Sequence, residues 1–240
     1  MKLNIIAYAR NGHTDKFGIP RQSREGSPIE TRIVFEPEYA MPEALRGIEG
    51  FSHLWLVWGF SENERTKDED ERKNWSPTVR PPRLGGNKRM GVFATRSPFR
   101  PNPLGLSSVR LLRVERGELV VAGADLLDGT PIYDVKPYLS FSDSHPDAIN
   151  GFAEETKDYQ LEVIFSQDIT SKTTHEYPLN DPSVPNEKIL REIAYILAQD
   201  PRPAYQDDPD REYKIDYAGW RVCFVVNKAK VIVKSLEKIS

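Results

Sequence analysis

A chain of 240 residues that is 38% hydrophobic and 10% aromatic carries enough apolar side chain for a core and a second small lobe, one or two domains in all. Its net charge of −3 at pH 7 excludes indiscriminate coating of nucleic acid, and its single cysteine, Cys223 in the apolar run Val222 to Val226, excludes a disulfide framework or a thiolate metal site. The apolar stretch before Arg10 is too short for a signal peptide and no run approaches membrane-spanning length, so the reading is a soluble protein of the reducing cytoplasm.

Strand signals fill the first half. Leu3 to Ala9, Arg32 to Phe35, His53 to Phe60, Met90 to Ala94, Leu106 to Val114, Leu119 to Ala124 and Ile132 to Val135 are short, β-branched or aromatic, and bounded by Gly, Pro, Asn or Asp. They predict a mainly β barrel or sandwich. The strand–helix alternation of a Rossmann-type sheet is missing. After Gly151 the character changes. Gly151 to Lys157 reads as loop and Leu161 to Phe165 as a strand, while Asn186 to Gln199 places Ile189, Leu190, Ile193, Ile196 and Leu197 at helical spacing. Asp200-Pro201 ends that helix, because proline bars the helical conformation of the residue before it. Asp216 to Val226 and Lys230 to Ser235 follow as two strands joined at Asn227-Lys228, giving a small α+β unit. The boundary falls between residues 142 and 158, which divides the chain into 1–145 and 158–240. The acidic stretch Glu62 to Glu71 reads as an exposed loop rather than a binding element.

Positive charge is segregated. No Asp or Glu occurs from Asn74 to Val114, whereas Arg80, Arg83, Lys88, Arg89, Arg96, Arg100 and Arg110 all lie there. Gly85 and Gly86 allow close approach of backbone to a ligand, Pro101 and Pro103 stiffen the loop that carries Arg100, and arginine forks suit carboxylates and phosphates. Two readings stand: a rigid site for an anionic ligand, or barrel corners with incidental arginines. Elsewhere nucleotide and metal motifs fail. There is no GxGxxG, GxxxxGK[ST] or HExxH, and His13, His53, His145 and His175 have no metal-ligand spacing, so no metal is expected. His53, inside FSHLWLVW, is expected to be a hydrogen-bonded core residue. Ser97, Ser107 and Ser108 lack a neighbouring histidine that would make a nucleophile.

IEGFSHLWLVWGF, RPPRLGGNKRMGVFATRSPFRPNPLGLS and DLLDGTPIYDVKPYL, with the N-terminal GIPRQ, resemble the TsaA-like domain. The later DPRPAYQ resembles the C-terminal lobe of bacterial TrmO proteins, so the resemblance spans essentially the whole chain. It implies an antiparallel β-barrel N-terminal domain unlike the Rossmann class, a small α+β C-terminal domain that supports tRNA binding and catalysis, and a homodimer. It further implies methyl transfer from S-adenosylmethionine to the exocyclic nitrogen of threonylcarbamoyl-adenosine beside the anticodon of threonine tRNA. Carried over by motif, Pro20, Arg21, Gln22, Arg96, Leu106, Asp128, Gly129, Thr130 and Pro131 bind the cofactor. Many members have a histidine after the Trp-Leu-rich strand where this chain has Gly59-Phe60-Ser61-Glu62, which assigns that place to Ser61 and Glu62.

Methyl transfer from a sulfonium is an in-line displacement that asks for alignment and needs no metal. The target nitrogen carries a carbonyl substituent, so a base to take its proton helps, and Asp200 is the candidate. Arg202 suits a phosphate or the threonyl carboxylate and Tyr205 suits stacking on a base; the competing reading is that Pro201 and Pro203 only shape a turn. Arg83, Lys88, Arg89 and Arg110 are expected to form a groove for the anticodon loop. Two other functions remain open from the residues: an S-adenosylmethionine-binding RNA module without catalysis, and a methyltransferase for a small molecule.

Overall fold

The computed structural model describes residues 2–19, 26–60, 75–81, 88–169, 184–202 and 208–239. The first lobe is a closed barrel built from β1 (Ala7–Arg10), β2 (Glu30–Phe35), β3 (His53–Gly59), β6 (Leu104–Glu115), β7 (Glu118–Ala122) and β8 (Pro131–Pro137), with a separate two-stranded ribbon of β4 (Thr78–Val79) and β5 (Met90–Gly91). Around the barrel the order is β1-β2-β7-β6-β3-β8, every neighbouring pair antiparallel. Closure pairs both sides of each strand and leaves no edge to template association. Alternate residues point inward, so Leu54, Leu56 and Trp58 of β3 meet Val109 of β6, Leu119 and Val121 of β7, and Ile33 of β2 in one core. β6, at 12 residues the longest of the described strands, pairs with β3 along its first half and with β7 along its second.

The second lobe is a four-stranded sheet in the order β10 (Glu212–Tyr217), β11 (Trp220–Asn227), β12 (Lys230–Lys238), β9 (Glu162–Phe165), with β9 parallel to β12. The helix Glu187–Ala198 completes it. Asn186 starts that helix by accepting the amide of Ile189 at 2.9 Å, and Ile193, Ile196 and Leu197 form its buried stripe. No helix among the described residues is long and apolar enough to cross a membrane.

Several local expectations change. The first strand begins at Ala7, not Leu3, and of Met90 to Ala94 only the first two residues pair, Val92–Ala94 being a 3-10 turn. Gly151–Thr156 is likewise a 3-10 turn rather than loop. Asp216 to Val226 is a hairpin, not one strand: Ala218 and Gly219, at φ 49° and 78°, reverse the chain between β10 and β11 in the left-handed region that a two-residue hairpin loop requires. His53 is half-buried, sharing a 2.9 Å hydrogen bond with the Ser52 hydroxyl, and stands edge-on to the Tyr138 ring rather than in the core.

The two lobes interlock through the segment after β1. The Ala218 amide donates to the Gly12 carbonyl at 2.8 Å, His13 forms a β-bridge with Tyr217, and Phe17 and Ile29 pack into the hydrophobic core of the second lobe.

Candidate functional site

The strand registers gather one end of the barrel into a rim. Gly59 opposite Leu104, Trp58 opposite Ile132 and Tyr8 opposite Pro131 place the end of β3, the starts of β6 and β8 and the end of β1 side by side. Asp128, Gly129, Thr130 and Pro131, far from Arg96 and Leu106 in sequence, enter β8 at this rim.

Asp128 is heavily engaged there. Its Oδ1 accepts the Asn11 amide at 3.0 Å, its Oδ2 lies 3.5 Å from Arg10 Nη1, and its own amide donates to the His13 carbonyl at 2.8 Å. The Gly129 amide donates to Ala9, Ala9 donates back to Thr130, and the Thr130 side chain is buried. Asn11 completes the knot by donating through Nδ2 to Leu126 O and Thr31 Oγ1 and accepting the His13 amide at Oδ1. The Asp128–Pro131 turn therefore clamps residues 9–13 to the rim while keeping its carboxylate partly open to solvent.

Leu106 is exposed on the outer wall of β6, opposite Val57, in line with the exposed Leu104. Behind it Ser107 is buried, accepting Trp58 Nε1 at 3.0 Å and donating to Asp125 Oδ1 at 2.5 Å. Gly105 lets the strand cross the face of that indole, since a Cβ there would lie 2.2 Å from Trp58 Cε2. Arg96 is exposed just beyond the Val92–Ala94 turn, whose end is tied by Thr95 Oγ1 to Val92 O at 2.8 Å. Lys88 and Arg89 are exposed beside β5, with Arg89 Nη1 donating to Thr78 Oγ1, while Arg110 stands on the barrel wall opposite His53. Pro20, Arg21, Gln22, Ser61, Glu62, Arg83 and Tyr205 lie outside the described residues, as do Gly85, Gly86 and the acidic stretch Glu62 to Glu71.

On the second lobe Asp200 and Arg202 form a fork–fork ion pair, Nε to Oδ1 at 2.8 Å and Nη2 to Oδ2 at 3.0 Å. The Tyr159 hydroxyl donates to Asp200 Oδ2 at 2.9 Å; this tyrosine, just before β9 at the start of the second lobe, carries no motif and was not legible in the sequence. Burial pushes the Asp200 carboxyl up, but Arg202 and Tyr159 together outweigh it and hold it below the usual carboxylate range. Beside the pair is a cleft of about 230 Å³, with residues 16–19 on one side and Ile196, Gln199, Asp200 and Pro201 on the other.

Between rim and cleft lies a buried polar chain that the sequence did not announce. His13 is 1% exposed, stands edge-on to the Tyr217 ring, and has an Nε2 without a hydrogen-bond partner among the described residues. Burial holds its pKa down at about 4. The Tyr217 hydroxyl donates to Glu192 Oε2 at 3.0 Å, and burial pushes the Glu192 carboxyl up.

A closed antiparallel barrel with an α+β lobe locked to it defines a barrel protein outside the Rossmann class. The tRNA-methyltransferase O N-terminal domain matches residues 8–144 and the TrmO C-terminal domain matches residues 158–239, so the chain belongs to the tRNA-methyltransferase O family. It is 44% identical over 192 residues to the tRNA (adenine(37)-N6)-methyltransferase of Eikenella corrodens, an alignment spanning 79% of this chain and 98% of that one. It is 40% identical over 213 residues to RcsF of Pseudomonas aeruginosa, assigned as an S-adenosylmethionine-dependent methyltransferase, across 88% of this chain and 86% of the relative. A crystal structure of TrmO superposes with a TM-score of 0.74 at 29% identity, covering 99% of each chain.

Proposed function

We propose that this protein transfers a methyl group from S-adenosylmethionine to the exocyclic N6 of threonylcarbamoyl-adenosine beside the anticodon of threonine tRNA, in the cytoplasm and as a homodimer. The observation that carries this reading is the course of residues 11–19. One end is clamped to Asp128 at the barrel rim, and the other forms a wall of the cleft beside Asp200 and Arg202. Four residues separate Asn11 from Lys16, five steps and at most about 18 Å of extended chain, so rim and cleft are close enough to serve one reaction.

The division of labour follows the two lobes: residues 1–145 hold the cofactor, and residues 158–240 support tRNA binding and catalysis. The residues assigned to the cofactor suit a zwitterionic nucleoside. Asp128 offers a partly open carboxylate for an ammonium or ribose hydroxyl, exposed Arg96 a guanidinium for a carboxylate, and exposed Leu106 an apolar face. Pro20, Arg21, Gln22, Ser61, Glu62, Gly129, Thr130 and Pro131 complete this set by family motif. S-adenosylmethionine supplies an electrophilic methyl carbon when bound, and the chain supplies alignment and charge.

Arg202 is the group for the threonyl carboxylate or an adjacent phosphate, and Tyr205 the stacking partner. Asp200 stays ionised at neutral pH, as an acceptor of the N6 proton must. With both oxygens engaged by Arg202 and Tyr159, its first task is to aim the guanidinium. Arg83, Lys88, Arg89 and Arg110 attract the anticodon-loop phosphates. The exposed Leu104 and Leu112 of β6 give a second copy apolar surface to cover.

The test is incubation with methyl-labelled S-adenosylmethionine and total tRNA prepared with and without threonylcarbamoyl modification. Label confined to the modified threonine tRNA is expected, and label in no RNA would overturn the assignment. Calorimetry of Arg96→Ala with S-adenosylmethionine addresses the cofactor site separately, and wild-type affinity there would remove Arg96 from it.

A further inference from the structure

Two aromatic rings stand together on the two-stranded ribbon, outside both hydrophobic cores. The Val92 amide donates to the Pro77 carbonyl at 2.9 Å, which carries the β4–β5 pairing one step past Gly91 and brings Phe93 beside Trp75. Their ring centroids lie 5.9 Å apart with the planes tilted by 32°. Val92 is buried, whereas its neighbour Phe93 is 71% exposed. The turn that carries Phe93 is tied down. The Thr95 amide donates to the Val92 carbonyl at 3.1 Å, the Ser97 amide to the Thr95 hydroxyl at 3.3 Å, and the Phe99 amide to the Ser97 hydroxyl at 3.2 Å. A ring held in place in water keeps apolar surface hydrated that a flat partner would cover.

The charge around the ring selects the partner. Lys88, Arg89 and Arg96 are exposed within five positions of Phe93, and no Asp or Glu occurs from Asn74 to Val114. Arg89 is fixed on the same ribbon, because the Thr78 hydroxyl that it holds belongs to the residue paired with Gly91. An aromatic face among cations suits a ligand with flat apolar faces and an anionic backbone, which describes single-stranded nucleic acid. A second copy of this chain suits the patch less well, since a two-fold contact would set these cations against their own copies. We propose that Phe93, backed by Trp75, is a stacking platform for an unpaired base of the anticodon loop, with Lys88 and Arg89 meeting the flanking phosphates. This rests on the reading of the chain as a tRNA methyltransferase and adds to it a residue that contacts a base. Arg96, assigned there to the cofactor, follows three positions on, at most about 11 Å of chain, so a base held on Phe93 lies near the methyl donor. The adenine of the cofactor also has a face to stack, and the two sources are separated by experiment.

The experiment uses the full chain and an anticodon stem-loop RNA carrying threonylcarbamoyl-adenosine at the target position. Fluorescence anisotropy across a salt series gives the affinity and its salt dependence for the wild type, Phe93→Ala and Phe93→Trp, and calorimetry gives the affinity for S-adenosylmethionine. Phe93→Ala is expected to weaken RNA binding about tenfold with the slope of log affinity against log salt unchanged, because the ring neutralises no phosphate. Phe93→Trp keeps the stacking face and is expected to stay within about twofold of the wild type. An abasic nucleotide placed at each loop position in turn is expected to weaken the wild type at one position and to leave Phe93→Ala indifferent there, the non-additivity of two groups in contact. Unchanged RNA affinity in Phe93→Ala, or the same abasic penalties in both proteins, overturns the proposal. So does loss of S-adenosylmethionine affinity with RNA binding intact, which gives the ring to the cofactor. Loss of RNA affinity that accompanies dissociation of a dimer in sedimentation gives the ring to a second copy and overturns it as well. A wild type that neither binds nor methylates this RNA overturns the methyltransferase reading itself, whereas a wild type that methylates it alongside an indifferent Phe93→Ala overturns the stacking assignment alone.

Discussion

Arg202 holds Asp200 by both carboxylate oxygens across a chain reversal in which Asp200 adopts a φ of 52°, a conformation in which asparagine and aspartate are among the few tolerated residues. The pair is largely shielded from solvent, so removing one partner strands the other. Arg202→Ala is expected to destabilise the fold by about 3 kcal/mol and to abolish methyl transfer, whereas Arg202→Lys retains the charge but loses the two-point grip and costs about half as much. Urea unfolding at neutral pH measures both, and equal stability of the alanine variant and the wild type would show that the pair is ornamental to the fold.

Gly105 and Trp58 make a second prediction. With a Cβ at position 105 only 2.2 Å from Trp58 Cε2, either the indole leaves Ser107 or the first residues of β6 leave β3. Gly105→Ala is expected to destabilise by about 1–3 kcal/mol, the range for overpacking, and to alter the near-ultraviolet signal of the tryptophan. An unchanged melting temperature would mean that the rim yields more readily than its packing implies.

His13 gives the fold an acid-sensitive joint. Above its ordinary pKa of 6.5 the residue is neutral in both folded and unfolded chains and contributes nothing to pH dependence. As the pH falls below 6.5 the unfolded chain takes up a proton that the folded chain refuses until about 4, so stability is lost across that window, on the order of 3 kcal/mol in all. His13→Gln cannot take up that proton. The drop in its urea midpoint between pH 7.5 and 4.5 is expected to be smaller than that of the wild type, and parallel drops would place the acid sensitivity elsewhere.

Arg89 is exposed and, among the described residues, donates to a neutral hydroxyl, Thr78 Oγ1. Arg89→Ala is expected to weaken tRNA binding and to reduce the slope of log affinity against log salt by about one. Unchanged affinity and slope would remove Arg89 from the tRNA surface while leaving the fold untouched.

Much of this architecture was legible because it is written in local spacing. The alternating apolar residues from His53 to Gly59, the helical period of Ile189 to Leu197 and the Asp200-Pro201 stop each depend on neighbours within a few positions, and the structure places strand, helix and stop there. The turn at Ala218 was not legible, because alanine carries no preference for positive φ and only its β10–β11 pairing forces it. Nor was the company of His13. Its burial depends on Tyr217 at the far end of the chain, just as the place of Phe17 and Ile29 in the second core depends on strands that follow them by most of the sequence.

The basic stretch and the DGTP turn were visible from residue types, since charge and backbone freedom belong to the residues themselves. That Asp128 clamps residues 9–13, and that those residues lead from the rim to the cleft of Gln199, Asp200 and Pro201, was settled only in three dimensions. Barrel closure and lobe docking bring together segments whose separation in sequence carries no record of the contact.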